Sequence, residues 1–173
     1  MIIKSLELSD FRNYDSLCIN FDKGVNILYG DNAQGKTNIL EAVFVSGTTK
    51  SHRSAKDKEL ILFEEEESHI STVLEKQGIV HKIDMHLRKS KSKGIAINCE
   101  RIKKASELVG LLNVVLFSPE DLNIIKDGPA YRRRFVDMEL CQLDQFYIYN
   151  LTNYNKIINN RNTNTAPSKI PAN

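Results

Sequence analysis

At 173 residues, 41% hydrophobic and 27% charged, the chain has the composition of a globular protein with one ordinary core or two small ones. Its net charge of +2 gives no overall field for nucleic acid, so any such contact must come from local clusters. No run approaches the ~18 apolar residues of a membrane span, the Met1-Ile2-Ile3-Lys4 start lacks a signal-peptide pattern, and Cys18, Cys99 and Cys141 fit reduced thiols, which together point to the cytoplasm.

In chain order, Ile2, Leu6 and Leu8 share one face, and Leu17, Ile19 and Phe21 share another. Ser9-Asp10 and Asp22-Lys23-Gly24 follow these runs as turn signals, so two half-buried strands are expected. A third apolar run, Val25 to Tyr29, leads into Gly30 and predicts a strand before a glycine-rich loop. Ile39, Leu40, Val43 and Phe44 then recur at helical spacing, with Ser46-Gly47 as the expected end. Alternation returns over Ser68–Leu74 and His81–Leu87 around a Lys76-Gln77-Gly78 hairpin signal, and again over Ile95–Cys99. Ala105–Leu111 suits a short helix and Asn113–Phe117 a buried strand. Pro119 is placed to open a helix closed by Asp127-Gly128, and Pro129 to open a longer one carrying Phe135, Met138, Cys141 or Gln142, Phe146 and Tyr149 on one side. From Asn162 to Asn173 the chain is polar, holds two of four prolines, and is expected to be disordered.

Gly30-Asp31-Asn32-Ala33-Gln34-Gly35-Lys36-Thr37 fits G-x-x-x-x-G-K-[ST], with an apolar run before it and an amphipathic helix after it. Glycines let successive N–H groups turn inward onto phosphate oxygens, and the positive helix end adds to that field. Lys36 would reach the β- and γ-phosphates and the Thr37 hydroxyl would ligate magnesium. Asn38 completes the nucleotide-binding set. Asn155-Lys156-Ile157-Ile158 lacks the acid of a guanine-reading motif, which favours ATP by elimination. Hydrolysis needs a further strand-borne acid. Glu120-Asp121 and Asp137-Met138-Glu139 are the nearest choices, and both are better explained as helix-start or helix-surface groups, so no catalytic residue is nominated.

The stretch Leu6-Glu7-Leu8-Ser9-Asp10-Phe11-Arg12-Asn13-Tyr14, with Gly30 through Ala42, resembles the start of an SMC-like ABC ATPase head. Ser51-His52-Arg53-Ser54, Phe117-Ser118-Pro119-Glu120-Asp121-Leu122, Gly128-Pro129 and Tyr131-Arg132-Arg133-Arg134-Phe135-Val136-Asp137 are similar to the RecF family within that group. The resemblance implies an α/β P-loop ABC-type head over 1–128, with an antiparallel β layer, and the start of a helical lobe over 129–161, before the tail 162–173. It implies ATP-dependent, dimeric DNA binding in recombinational repair, replication and the SOS response, at single-strand gaps, with RecR- and RecO-type mediators. Members are about twice this length, so an N-terminal part that binds nucleotide without full ATPase activity is expected. By the same resemblance Arg12 contacts the nucleotide phosphates, and Arg53 lies near nucleotide and DNA. Lys89, Lys91 and Lys93 are local candidates for DNA phosphates, with Lys103, Lys104 and Arg132–Arg134 as weaker ones. The competing reading is a self-contained P-loop phosphotransferase acting on a small molecule.

Overall fold

The computed structural model describes residues 1–53, 56–118, 126 and 128–164. Six strands form one antiparallel sheet in the order β2-β1-β3-β4-β5-β6. They are β1 (Ile2–Phe11), β2 (Tyr14–Asn20), β3 (Glu67–Lys76), β4 (Ile79–Arg88), β5 (Gly94–Ile97) and β6 (Glu100–Arg101). Period-two alternation puts Leu6, Leu8, Ile70, Leu74, Ile83, Met85 and Leu87 on one buried face, while Glu7, His69, Lys82 and His86 lie on the other. Across that face Thr72 stands opposite both Leu6 and Ile83, so the register keeps the inward side chains in common rows. The β3–β4 turn holds Gln77 at φ 53° and Gly78 at φ 80°, the two left-handed residues a tight hairpin requires.

Helix α1 (Lys36–Thr48) covers the buried face. Ile39, Ala42 and Val45 enter the core, and Ser46 Oγ shares a 2.8 Å hydrogen bond with Thr72 Oγ1 of β3. Gly47 does not end the helix as its type suggested; the helix closes one residue later, with Thr49 left-handed at φ 66°. Gly47 is required by packing: a Cβ there would meet Val114 Cγ2 at 2.6 Å and the Leu112 carbonyl at 2.7 Å.

Other expectations need correction. The first hairpin turns at Arg12-Asn13, because β1 runs on to Phe11, which is fully buried and pairs with Tyr14. Residues 25–29 and 113–117 belong to no helix or strand. Val25, Ile27, Tyr29, Val115 and Phe117 are 78–91% exposed, so these apolar runs have the composition of buried strands without neighbours to pair with. An open cavity of about 730 Å³ lies between them, lined by Ile27, Leu28, Leu40, Val43 and Val114. Ala105–Glu107 is a single 3₁₀ turn rather than a helix to Leu111.

The long C-terminal helix is two helices, α2 (Pro129–Leu143) and α3 (Gln145–Asn164). The break is at Asp144, which leaves helical geometry and accepts the Phe146 N–H on its carboxylate at 2.8 Å. Phe146 and Tyr149 therefore fall on α3 and are exposed. Helix α3 continues to Asn164, into the stretch expected to be disordered. Ser54, Pro119 to Leu122, Asp127 and 165–173 lie outside the described residues. Helix α2 is tied to segment 113–117 by Gln142: the Val114 N–H donates to its Oε1 at 2.7 Å, and its Nε2 donates to the Val114 carbonyl at 3.2 Å.

Candidate functional site

The loop from Gly30 to Gly35 enters α1 through three left-handed residues: Gly30 at φ 144°, Ala33 at φ 66° and Gly35 at φ 92°. Gly35 has a second reason to be glycine, since a Cβ there would lie 2.5 Å from Tyr14 Oη and 2.7 Å from Asn13 Oδ1. Tyr14 Oη in turn donates to the Gln34 carbonyl at 3.0 Å. Burial pushes the Tyr14 hydroxyl pKa up, so it stays a donor at neutral pH. The first β-hairpin thus braces the loop from the side.

Lys36 Nζ folds back and donates to the Gly30 carbonyl at 2.7 Å and the Asp31 carbonyl at 2.5 Å. Its charge is held over the loop, where a phosphate would replace those carbonyls. The first turn of α1 carries no acid, so the positive end of its dipole is not neutralised from within. Asp31, Asn32, Ala33, Gln34 and Thr37 are exposed around this mouth. Backbone curl, a cation and an uncompensated helix start fit the phosphates of a nucleotide. The exposed Thr37 hydroxyl at the helix start fits a magnesium ligand.

Behind the loop lies a polar centre that the sequence pattern alone did not reveal. Glu41, on the second turn of α1, is fully buried. Arg12 donates to it twice, Nε to Oε2 at 2.9 Å and Nη2 to Oε1 at 2.7 Å, and gives Nη1 to the Glu59 carbonyl at 2.7 Å. Ser51 Oγ donates to Oε1 at 2.5 Å, and Arg53 Nη1 lies 3.6 Å from Oε2. Burial alone would push the Glu41 carboxyl pKa up, but the hydrogen bonds from Arg12 and Ser51 and both arginine charges outweigh it and hold the pKa below its ordinary value. Arg53 Nη1 also donates to Asn38 Oδ1 at 3.1 Å, and Asn38 Nδ2 to Asn13 Oδ1 at 2.7 Å. Arg12, Arg53 and Asn38 are therefore brought together beside the phosphate loop. Glu41 falls off the Ile39, Leu40, Val43 and Phe44 stripe of α1, so no periodicity marked it.

The lysine candidates are placed differently. Lys93 Nζ reaches Asp57 at 3.0 Å and donates to the Thr49 carbonyl, tying the end of α1 to the 3₁₀ turn Asp57–Leu60. Lys89 Nζ lies 3.6 Å from Glu66, and Lys91, Lys103, Lys104 and Arg132–Arg134 are exposed. Asp137 accepts from Tyr147 Oη of α3 at 2.5 Å, which makes it a link between the two helices. Among the described residues no cluster of three metal-ligating side chains occurs.

Residues 2–123 match the family model described as the RecF/RecN/SMC N terminal domain. The DNA replication and repair protein RecF of Agathobacter rectalis is 65% identical over 162 residues, covering 94% of this chain and 45% of that protein. The RecF of Lachnoclostridium phytofermentans is 60% identical over the same lengths. A solved structure of the recombination mediator protein RecF with ATP has a TM-score of 0.90 at 36% identity, covering 94% of this chain and 44% of that one. An SMC ATPase structure at 20% identity and TM-score 0.60 has the same fold. The chain spans just under half the length of the curated relatives it matches.

Proposed function

The chain belongs to the RecF/RecN/SMC N-terminal domain family, and from that premise we propose that it is the nucleotide-binding part of a RecF-like protein of recombinational repair and replication. Its own activity is to bind ATP, with the loop N–H groups and Lys36 on the phosphates and Thr37 on magnesium. The observation that carries this reading is the convergence of the loop from Gly30 to Gly35, the braced hairpin at Asn13-Tyr14 and the Arg12–Glu41–Arg53 centre on one helix start. The similarity to a RecF described with ATP supports adenine over guanine.

DNA at single-strand gaps is the polymer this site serves, and ATP joins two such heads in the complete protein. Arg53, half-exposed beside the phosphate loop, and the exposed Lys91 are the cations assigned that role, while Lys93 and Lys89 are ion-paired with Asp57 and Glu66 and Arg53 itself with Glu41. RecR- and RecO-type mediators are the protein partners. Asp137 of α2 is engaged by Tyr147 of α3, and the activity assigned to this chain is nucleotide binding rather than turnover.

Fluorescence anisotropy of a gapped duplex with the 173-residue chain, with and without Mg-ATP, tests the assignment. The expected result is binding that strengthens with ATP and weakens steeply with salt. Phosphate transfer to a small acceptor, with no DNA binding at low salt, would refute it in favour of a phosphotransferase.

A further inference from the structure

The two arginines of the buried centre hold Glu41 on unequal terms. Arg12 grips the carboxylate as a fork and is 20% exposed, while Arg53 stands at 3.6 Å, an ion-pair distance, with its side chain 39% exposed. Ser51 Oγ occupies a further site on Oε1 and also accepts the Arg53 N–H at 2.9 Å, so both the backbone and the side chain of Arg53 are referenced to Glu41. Asn38, one residue past Thr37, accepts from the same Arg53 Nη1 at 3.1 Å. A fully buried carboxylate is costly to desolvate, and here two arginines, Arg12 and Arg53, share the one Glu41 charge beside a phosphate loop.

Resting on the nucleotide-binding reading above, we propose that Glu41 is the positioning residue of the phosphate site. It fixes Arg12 as a brace and parks Arg53 beside Oε2, the oxygen that already accepts from Arg12 Nε, and from there the terminal phosphate of a nucleoside triphosphate takes Arg53 over. The exchange is favourable because a phosphate oxygen offers Arg53 a charge-assisted hydrogen bond in place of an ion pair at longer range. Without the Glu41 charge the two guanidinium groups repel each other and Arg53 is no longer held at the height of the terminal phosphate. Triphosphate binding then suffers more than diphosphate binding.

The test titrates the 173-residue chain with Mg-ATP and with ADP, for the unsubstituted protein and for Glu41→Gln, Ser51→Ala and Lys36→Ala. Glu41→Gln keeps the side-chain shape and is expected to weaken ATP by about tenfold and ADP by less than about threefold, the loss of one charged contact to the extra phosphate. Ser51→Ala shifts the ratio in the same direction by a smaller factor. A purely structural role for Glu41 would lower both affinities alike, and that result, or an unchanged ratio, overturns the proposal. If Glu41→Gln does not fold, an unchanged ratio in Ser51→Ala overturns it. Binding that Lys36→Ala abolishes while the ratio stays constant in the other variants sinks the positioning role alone. No nucleotide binding by the unsubstituted chain sinks the functional reading with it.

Discussion

Gly47 sits inside α1, where replacing glycine by alanine ordinarily stabilises a helix by about 1 kcal/mol. The surroundings reverse the sign. A Cβ at Gly47 would stand 2.6 Å from Val114 Cγ2 and 2.7 Å from the Leu112 carbonyl, and the latter is backbone that cannot rotate away. Overpacking of this kind costs about 1–3 kcal/mol, and two contacts this short place it at the upper end. Subtracting the propensity gain leaves Gly47→Ala destabilised by about 1–2 kcal/mol, a fall in Tm of about 2–8 °C for a domain of this size. Urea unfolding followed by circular dichroism measures it, with an unchanged slope showing that the same surface is exposed. Val114→Ala removes one of the two obstacles, so the double variant should lose less than the sum of the single ones. A Gly47→Ala chain more stable than the parent would refute the close approach of α1 to residues 112–114.

Gln142→Ala should cost about 1–3 kcal/mol in the same urea assay, because it strands the Val114 N–H and carbonyl that its amide satisfies. The Glu41 pKa is depressed in the folded chain, so its contribution is fully present above the unfolded value of about 4.3 and is lost as pH falls through the lower folded value. Urea midpoints at pH 6 and pH 3 should therefore fall less in Glu41→Gln than in the parent; equal falls would contradict the buried pair. Lys93→Ala should lower stability by about 1 kcal/mol through loss of its Asp57 and Thr49 partners, whereas Lys91→Ala should leave stability unchanged and reduce the salt slope of DNA binding by about 1.

Much of this was legible from periodicity. The β3–β4 hairpin was readable because strict alternation on both sides of Gln77-Gly78 admits one register. The loop was readable because glycine, lysine and threonine at that spacing stand between an apolar run and an amphipathic helix. Residues 25–29 and 113–117 misled for a physical reason: composition reports how apolar a segment is, not whether a neighbour is present to pair with it. Gly47 misled because glycine can mean a helix end or a close approach, and only the position of Val114 decides between them. Asp144 breaks what looked like one apolar stripe because a side chain that caps the next helix competes with continuing the first. The centre at Glu41 was hidden because Arg12, Glu41, Ser51 and Arg53 come from three separate segments, and no local pattern shows them meeting.

Calorimetric titration with Mg-ATP of the chain beside its Lys36→Ala variant tests the phosphate site most directly. Lys36 holds only loop carbonyls in this structure, so its replacement should leave the fold intact and remove the cation the phosphates need. Heat of binding for the parent and none for the folded variant is the predicted result. Equal titration curves, or no binding by a folded parent, would contradict it.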